Sequence, residues 1–131
     1  MITFSSVTTD YQSNISFKAA ANQSACPPTL DNKTRCYRAQ CFQTTRSIAN
    51  QLQLHAEQFS TSFQSRLGKT PWIKPYTDQD LAELASRGIK RLAIVCPSFV
   101  ADCLENLEEI GLRANAQWLR TGGEQLTLIP C

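Results

Sequence analysis

Hydrophobic positions after residue 36 recur at spacings that predict alternating helices and strands. Residues 38–54 carry apolar side chains at helical spacing, and these are Cys41, Ile48, Ala49 and Leu52. Residues 59–64 alternate large and small or polar side chains, which is the periodicity of a strand. The short apolar run at 90–96 is typical of a strand covered on both faces, and the pattern predicts a last strand at 125–129.

Two further helices are predicted between these strands. The first, at 78–87, has Thr77 as N-cap, Asp80 three residues later as its capping-box partner, and Gly88 as its stop. The second runs over 99–121 and is ended by a pair of glycines. Strands and helices in strict alternation predict a parallel sheet with right-handed crossovers, and thus an α/β, Rossmann-like fold.

The first 35 residues differ from the rest of the chain. They are polar and weakly periodic, and the sequence CPP interrupts them at 26–28. We predict a short strand at ITFSS and irregular structure over the remainder of 1–35, so that the folded domain occupies 36–131.

Composition narrows the class of protein. The chain has 131 residues, enough for one domain, and its net charge of +2 is spread without a basic block, which argues against nucleic acid as a partner. It contains no run of about 18 apolar residues, and its N-terminus has no secretory signal. We therefore expect a cytoplasmic protein whose six cysteines are thiols or ligands rather than disulfides.

Acidic residues crowd the start of the helix predicted at 99–121. These are Asp102, Glu105, Glu108 and Glu109. At about 100° per residue, one apolar stripe is expected to face the core, formed by Val100, Cys103, Leu104, Leu107, Ile110, Ala114 and Trp118. Glu105 lies nearly opposite that stripe. The acids form either a solvated face near a helix N-terminus, or a site for a cation or a proton at the carboxyl end of a strand.

A longer pattern resembles a known family. The order FQSR-G, PW, PYTD, P-F-ADCLE-LEEI between residues 62 and 112 is similar to the C-terminal half of bacterial ferrochelatase. The resemblance extends back through CYRAQCFQTTRSIANQL and on through GGEQLTLIPC, so it covers 36–131. It implies the insertion of ferrous iron (Fe2+) into protoporphyrin IX to form protohaem, and peripheral membrane association of the full-length enzyme.

The resemblance also implies roles for particular residues. Glu105 matches the glutamate on the metal side of the family's site, and Glu109 matches its follower on the next helical turn. Both fit the chemistry, because a carboxylate binds a hard cation and accepts the protons that iron displaces.

Four porphyrin contacts follow from the same comparison. Trp72 occupies the place of the indole that lines the macrocycle pocket, and Tyr37 that of a pocket tyrosine. Gln64 and Ser65 lie on the strand that leads to the pocket floor.

The sequence departs from the family pattern at its start. The HG-P turn, whose histidine works opposite the glutamate, has no counterpart in MITFSSVTTDYQ, and the only histidine, His55, is expected at the surface. The resemblance therefore implies a truncated form that lacks the N-terminal half of the cleft and is inactive or impaired alone. Residues 1–35 match the family poorly.

The cysteines leave two interpretations open. Some bacterial ferrochelatases hold a [2Fe-2S] cluster, and Cys26, Cys36 and Cys41 are candidate ligands by that resemblance, although four thiolates are usual. Reduced thiols are the alternative. Cys96 and Cys131 follow strands and are expected to be buried.

The function predicted from the sequence is therefore ferrochelatase-like. The alternative is a non-catalytic α/β module that binds porphyrin, metal or a partner subunit.

Overall fold

The computed structural model describes residues 2–4, 37–64 and 73–131. Its elements in chain order are β1 (Ile2–Phe4), α1 (Tyr37–Gln51), a 3-10 turn (Ala56–Gln58), β2 (Thr61–Phe63), α2 (Thr77–Ser86), β3 (Arg91–Val95), a π-helix (Glu105–Ala114), α3 (Asn115–Arg120) and β4 (Gln125–Ile129). The chain divides into two compact units. One contains the four strands, α2, the π-helix and α3, and the other contains α1 and the 3-10 turn.

The four strands form one parallel sheet in the order β2-β1-β3-β4. The longest pairing aligns Arg91 with Gln125 and Val95 with Ile129. The connection from β3 to β4 contains the π-helix and α3, as a crossover between parallel strands requires. The predicted α/β fold with a parallel sheet is thereby confirmed, including a short strand at the N-terminus.

Burial along β3 corrects one prediction. Ile94 and Cys96 are completely buried, whereas Arg91 and Ala93 are exposed. The strand is therefore covered on one face, and the prediction of cover on both faces is wrong. Successive side chains of a strand point to opposite faces, so a short apolar run alone does not reveal which face is covered.

The predicted capping box of α2 is also wrong. Tyr76 is the N-cap, and no side chain caps the helix. Thr77 is the first helical residue, and its Oγ1 lies 3.0 Å from Ser62 Oγ in a buried pair that joins β2 to α2. Asp80 accepts a hydrogen bond from Ser60 Oγ at 3.0 Å. Both predicted capping residues therefore bond to serines in or next to β2 instead of capping the helix.

In this unit, α2 and α3 are each followed at their C-terminal end by a glycine with positive φ. Gly88 (φ 83°) follows α2 and Gly122 (φ 98°) follows α3. After α3, the amide of Gly122 donates to the Leu119 carbonyl and that of Gly123 to the Trp118 carbonyl, the paired bonds of a Schellman motif. The predicted stop at Gly88 is confirmed.

The helix predicted at 99–121 begins later than expected. Residues 99–103 are bends and irregular backbone, and the helical hydrogen bonding begins at Leu104. From Glu105 to Ala114 the helix is a π-helix, in which bonds close between residues five apart and the turns are wider than in an α-helix.

The wider turns change which residues face the core. The buried line is spaced by four and consists of Asn106, Ile110, Ala114 and Trp118. Three residues of the predicted apolar stripe are instead exposed, with relative accessibilities of 102% for Val100, 74% for Leu104 and 50% for Leu107. The prediction failed because it assumed α-helical geometry over the whole segment.

Trp118 anchors the core of this unit. The core consists of Leu81, Ile94, Cys96, Ile110, Ala114 and Trp118. The indole is completely buried, and its Nε1 donates to the Gln125 carbonyl at 3.0 Å, which ties α3 to β4. Gly123 packs directly against the indole, where any Cβ would overlap the ring.

No helix among the described residues is long and apolar enough to cross a membrane. The domain boundary proposed at 35/36 stays a prediction.

Candidate functional site

Glu105 is the first residue of the π-helix and is half-buried. The chain reaches it from the carboxyl end of β3, the edge of a parallel sheet at which ligands bind in open α/β folds. A second strand also holds this position. Gln64, which follows β2, donates a hydrogen bond from Nε2 to the backbone carbonyl of Glu105 at 3.1 Å.

The amide of Gln64 is only half satisfied. Gln64 is 6% exposed, and its Oε1 is buried without a hydrogen-bond partner among the residues that the structure describes. Leaving a buried acceptor unpaired costs roughly 1–3 kcal/mol. The amide orientation is fixed by its other end, because a flipped amide would set its oxygen against the Glu105 carbonyl oxygen.

Arg113 forms ion pairs with both Glu108 and Glu109 and so offsets the repulsion between the two carboxylates. Its Nη2 lies 2.6 Å from Glu108 Oε2 and 3.3 Å from Glu109 Oε1. Its Nε also donates to Glu108 Oε2 at 2.9 Å. Glu108 and Arg113 are five residues apart, a spacing that the π-helix brings onto one face. The acids are therefore neither an unpaired cluster nor a uniform solvated face.

Asn106 is a structural residue of the site that the sequence patterns did not reveal. It is completely buried, and its Oδ1 accepts from the Cys103 amide at 2.7 Å. Its Nδ2 donates to Asp102 Oδ1 at 2.9 Å and to Cys131 Sγ at 3.3 Å. Asn106 thus fixes the segment before Glu105 against the end of β4. The only signal in the sequence is its spacing of four from Ile110.

The buried Cys96 lies close to this network. Burial, with the nearby Cys131, Cys103 and Asp102, raises the pKa of the Cys96 thiol to about 12, so it is protonated at neutral pH. Cys131 is exposed, so the prediction that it is buried is wrong. Its side chain lies beyond the last strand, where its Sγ approaches the Cys96 carbonyl at 3.7 Å.

Of the three candidate iron–sulfur ligands, the structure describes Cys41. Cys26 and Cys36 lie outside the described residues. Cys41 is buried in α1, and burial raises the pKa of its thiol to about 11. The assignment of a [2Fe-2S] cluster to these cysteines stays a prediction.

The structure describes some of the predicted catalytic and porphyrin-binding residues and not others. Gln64, Glu105 and Glu109 belong to the unit that contains the sheet. Tyr37 is the first residue of α1 in the other unit, and Trp72 and Ser65 lie outside the described residues. His55 is exposed, as predicted. Within the described ranges, no group of three or more His, Cys, Asp or Glu side chains is placed to hold a resident metal ion.

Comparison with known proteins agrees with this arrangement. The family model described as Ferrochelatase matches residues 24–131. The chain is 62% identical over 106 residues to the ferrochelatase of Legionella pneumophila (strain Paris), which is 81% of this chain and 32% of that protein. It is 58% identical over 105 residues to the ferrochelatase of Coxiella burnetii (strain Dugway 5J108-111), which is 80% of this chain and 30% of that protein. The chain thus spans about a third of the length of these relatives. On the match over most of its length, the chain belongs to the ferrochelatase family.

Proposed function

We propose that this chain supplies the metal-side part of a ferrochelatase site, which inserts ferrous iron into protoporphyrin IX to form protohaem. The observation that supports this most directly is the bond from Gln64 to the Glu105 carbonyl. It fixes the first residue of the π-helix at the ligand-binding edge of the sheet, in a chain of this family.

The chemistry requires an ion-binding and proton-accepting group near the macrocycle. Iron insertion forms bonds to the four pyrrole nitrogens and releases two protons from the two that carry N–H. A half-buried carboxylate at Glu105 can hold the incoming cation and take up a proton. Ferrous iron is the substrate of this step.

Glu109 is proposed to extend the path from Glu105. It is four residues further along the π-helix, and Arg113 holds one of its oxygens at 3.3 Å. Glu109 is thus suited to transfer cations or protons, whereas Glu108 is the more tightly paired of the two acids.

The porphyrin contacts at Trp72, Tyr37, Gln64 and Ser65 remain part of this proposal. Chelation needs groups that act on both faces of the macrocycle, in a geometry that holds the reacting atoms together. Because the chain spans about a third of its relatives, we expect the 131-residue polypeptide alone to insert little or no iron.

A chimera tests the proposal. The 106 matched residues of this chain would replace their counterparts in the Legionella pneumophila ferrochelatase, which supplies the remaining length. We expect the chimera to consume protoporphyrin fluorescence on addition of ferrous iron under anaerobic conditions, at a rate far above the protein-free blank. A folded chimera that binds porphyrin but inserts no iron would instead favour a non-catalytic binding module.

The iron–sulfur hypothesis is tested separately. Anaerobic reconstitution of the chain with iron and sulfide should produce visible absorption only if Cys26, Cys36 and Cys41 acquire a fourth ligand. A spectrum that is unchanged by Cys36→Ser would eliminate this assignment.

A further inference from the structure

The unpaired oxygen of Gln64 is the feature of the site that its own fold does not explain. Buried polar atoms are almost always hydrogen-bonded, so an exception needs a reason. Gln64 has one end bonded to the Glu105 carbonyl at 3.1 Å, and its other end is buried and has no hydrogen-bond partner among the described residues. An apolar residue of similar volume would avoid the unpaired acceptor, and the Nε2 bond alone does not account for an amide here.

The chemistry of the free atom defines what it can bind. An amide oxygen only accepts hydrogen bonds, so its partner must carry an N–H or an O–H. Within the proposed function, on which this inference rests, the free-base porphyrin brings two inner N–H groups, and its metallated product has none. In a flat macrocycle these N–H bonds point into the ring, and an acceptor on one face engages them only when a pyrrole tilts out of the plane.

We propose that Gln64 distinguishes free-base porphyrin from metalloporphyrin. Its Oε1 accepts a hydrogen bond from a tilted pyrrole N–H, while its Nε2 keeps the backbone of Glu105 on the same side of the ring. Gln64 therefore favours the substrate in the conformation that exposes its protons. The bond is lost when the metal replaces those protons, which weakens retention of the product.

Binding of two porphyrins by the 131-residue chain tests this role. Protoporphyrin IX carries the N–H groups and zinc protoporphyrin IX lacks them, while their peripheral substituents are identical. We expect Gln64→Met, which keeps the length and removes both polar ends, to weaken protoporphyrin IX binding by about tenfold, with little change for the zinc porphyrin.

A matched control and an independent spectrum complete the test. Gln79→Met makes the same exchange at an exposed position of α2 and should change neither affinity. The N–H stretching frequency of protoporphyrin IX should fall on binding to the original chain, a measurement that does not depend on a variant remaining folded.

The possible results separate this inference from the proposed function. Binding of neither porphyrin by the original chain would contradict the proposed porphyrin site itself. Binding of both, with equal losses in folded Gln64→Met, no loss for either, or an unshifted N–H frequency, would overturn the inference alone. A loss of cobalt(II) affinity in Gln64→Met with unchanged porphyrin selectivity would assign the acceptor to metal-bound water and would also overturn it.

Discussion

The helical segment between β3 and β4 contains two parts with opposite character. Its C-terminal part, α3, has a completely buried tryptophan and ends in a glycine-based Schellman motif. Its N-terminal part is a π-helix that buries an asparagine, pairs two acids with one arginine, and leaves Leu107 and Leu112 half or more exposed. The same continuous helix therefore changes from regular core packing to a polar network within a few turns.

The difference indicates that the stabilising contacts and the candidate site residues lie in different parts of this helical segment. Trp118 packs in the core and bonds to β4, and these contacts stabilise the fold without involving any candidate site residue. The π-helix instead uses its wider turns to bring Glu108 and Arg113, which are five residues apart, onto one face. Irregular helices of this kind are frequent at functional sites.

The largest expected effect is on the free energy of unfolding when the buried tryptophan of α3 is removed. Trp118→Ala removes a completely buried indole and its bond to Gln125 and should lower the free energy of unfolding by about 3–5 kcal/mol. Denaturant titration followed by circular dichroism measures it. Leu119→Ala, at a neighbouring position that is 51% exposed, is the control and should cost less than about 1 kcal/mol. Equal midpoints for the two variants would contradict the assigned core.

A smaller effect is expected at the buried asparagine of the π-helix. Asn106→Leu keeps the volume but leaves the Cys103 amide without its acceptor and removes one of the two donors to Asp102 Oδ1, the other being the Cys131 amide. We expect a loss of roughly 1–3 kcal/mol in unfolding free energy. Amide exchange should accelerate at Cys103 more than at Ile94 in the sheet. Uniform acceleration at both positions would show that Asn106 has no local role.

The ion pairs that Arg113 forms with Glu108 and Glu109 should contribute less to stability than Asn106 does. Arg113 is 64% exposed, so Arg113→Gln is expected to cost less than about 1 kcal/mol, and the cost should shrink at high salt. Arg120→Gln is the matched control, because Arg120 is exposed and makes no ion pair among the described residues. A salt-independent loss for Arg113→Gln, equal to that of the control, would refute the pairing with Glu108 and Glu109.

The smallest effect is a pH dependence at α2. Burial raises the pKa of the Asp80 carboxyl above its ordinary value of 3.8, while the bond from Ser60 partly opposes the shift. The folded state therefore binds the proton more tightly than the unfolded state, and stability falls as pH rises from 3.8 through the raised pKa.

Asp80→Asn removes this dependence and keeps an acceptor for Ser60. The variant should gain stability relative to the original chain at neutral pH, and the difference should disappear below pH 3.8. Thermal unfolding at a series of pH values measures it. A stability difference that grows on acidification would give the wrong sign and contradict the burial of Asp80.

The sequence patterns predicted the strands well, because a parallel sheet leaves short, clearly bounded apolar runs. The strand at 125–129 was predicted with its observed bounds, and those at 59–64 and 90–96 differ from the observed strands by one or two residues at each end. Gly88 identified a helix end because only a residue without Cβ adopts its positive φ readily.

The environment of the site could not be predicted in the same way. A search at α-helical spacing assigns Leu104 and Leu107 to the core, and no residue type in the segment signals hydrogen bonds between residues five apart. The bond between Gln64 and Glu105 joins positions 41 residues apart and depends on the packing of β2. Glu105 itself was identified only through its resemblance to a family motif.

The central claim is that Glu105 serves chemistry rather than stability. The most direct measurement compares Glu105→Gln with Glu108→Gln in the chimera with the Legionella pneumophila ferrochelatase, recording iron insertion and unfolding free energy in the same preparations. We predict that Glu105→Gln reduces insertion by about 100-fold or more with stability nearly unchanged, whereas Glu108→Gln, whose carboxylate is held by Arg113, retains most activity. Turnover that survives Glu105→Gln would contradict the account and leave the acids as a charged surface.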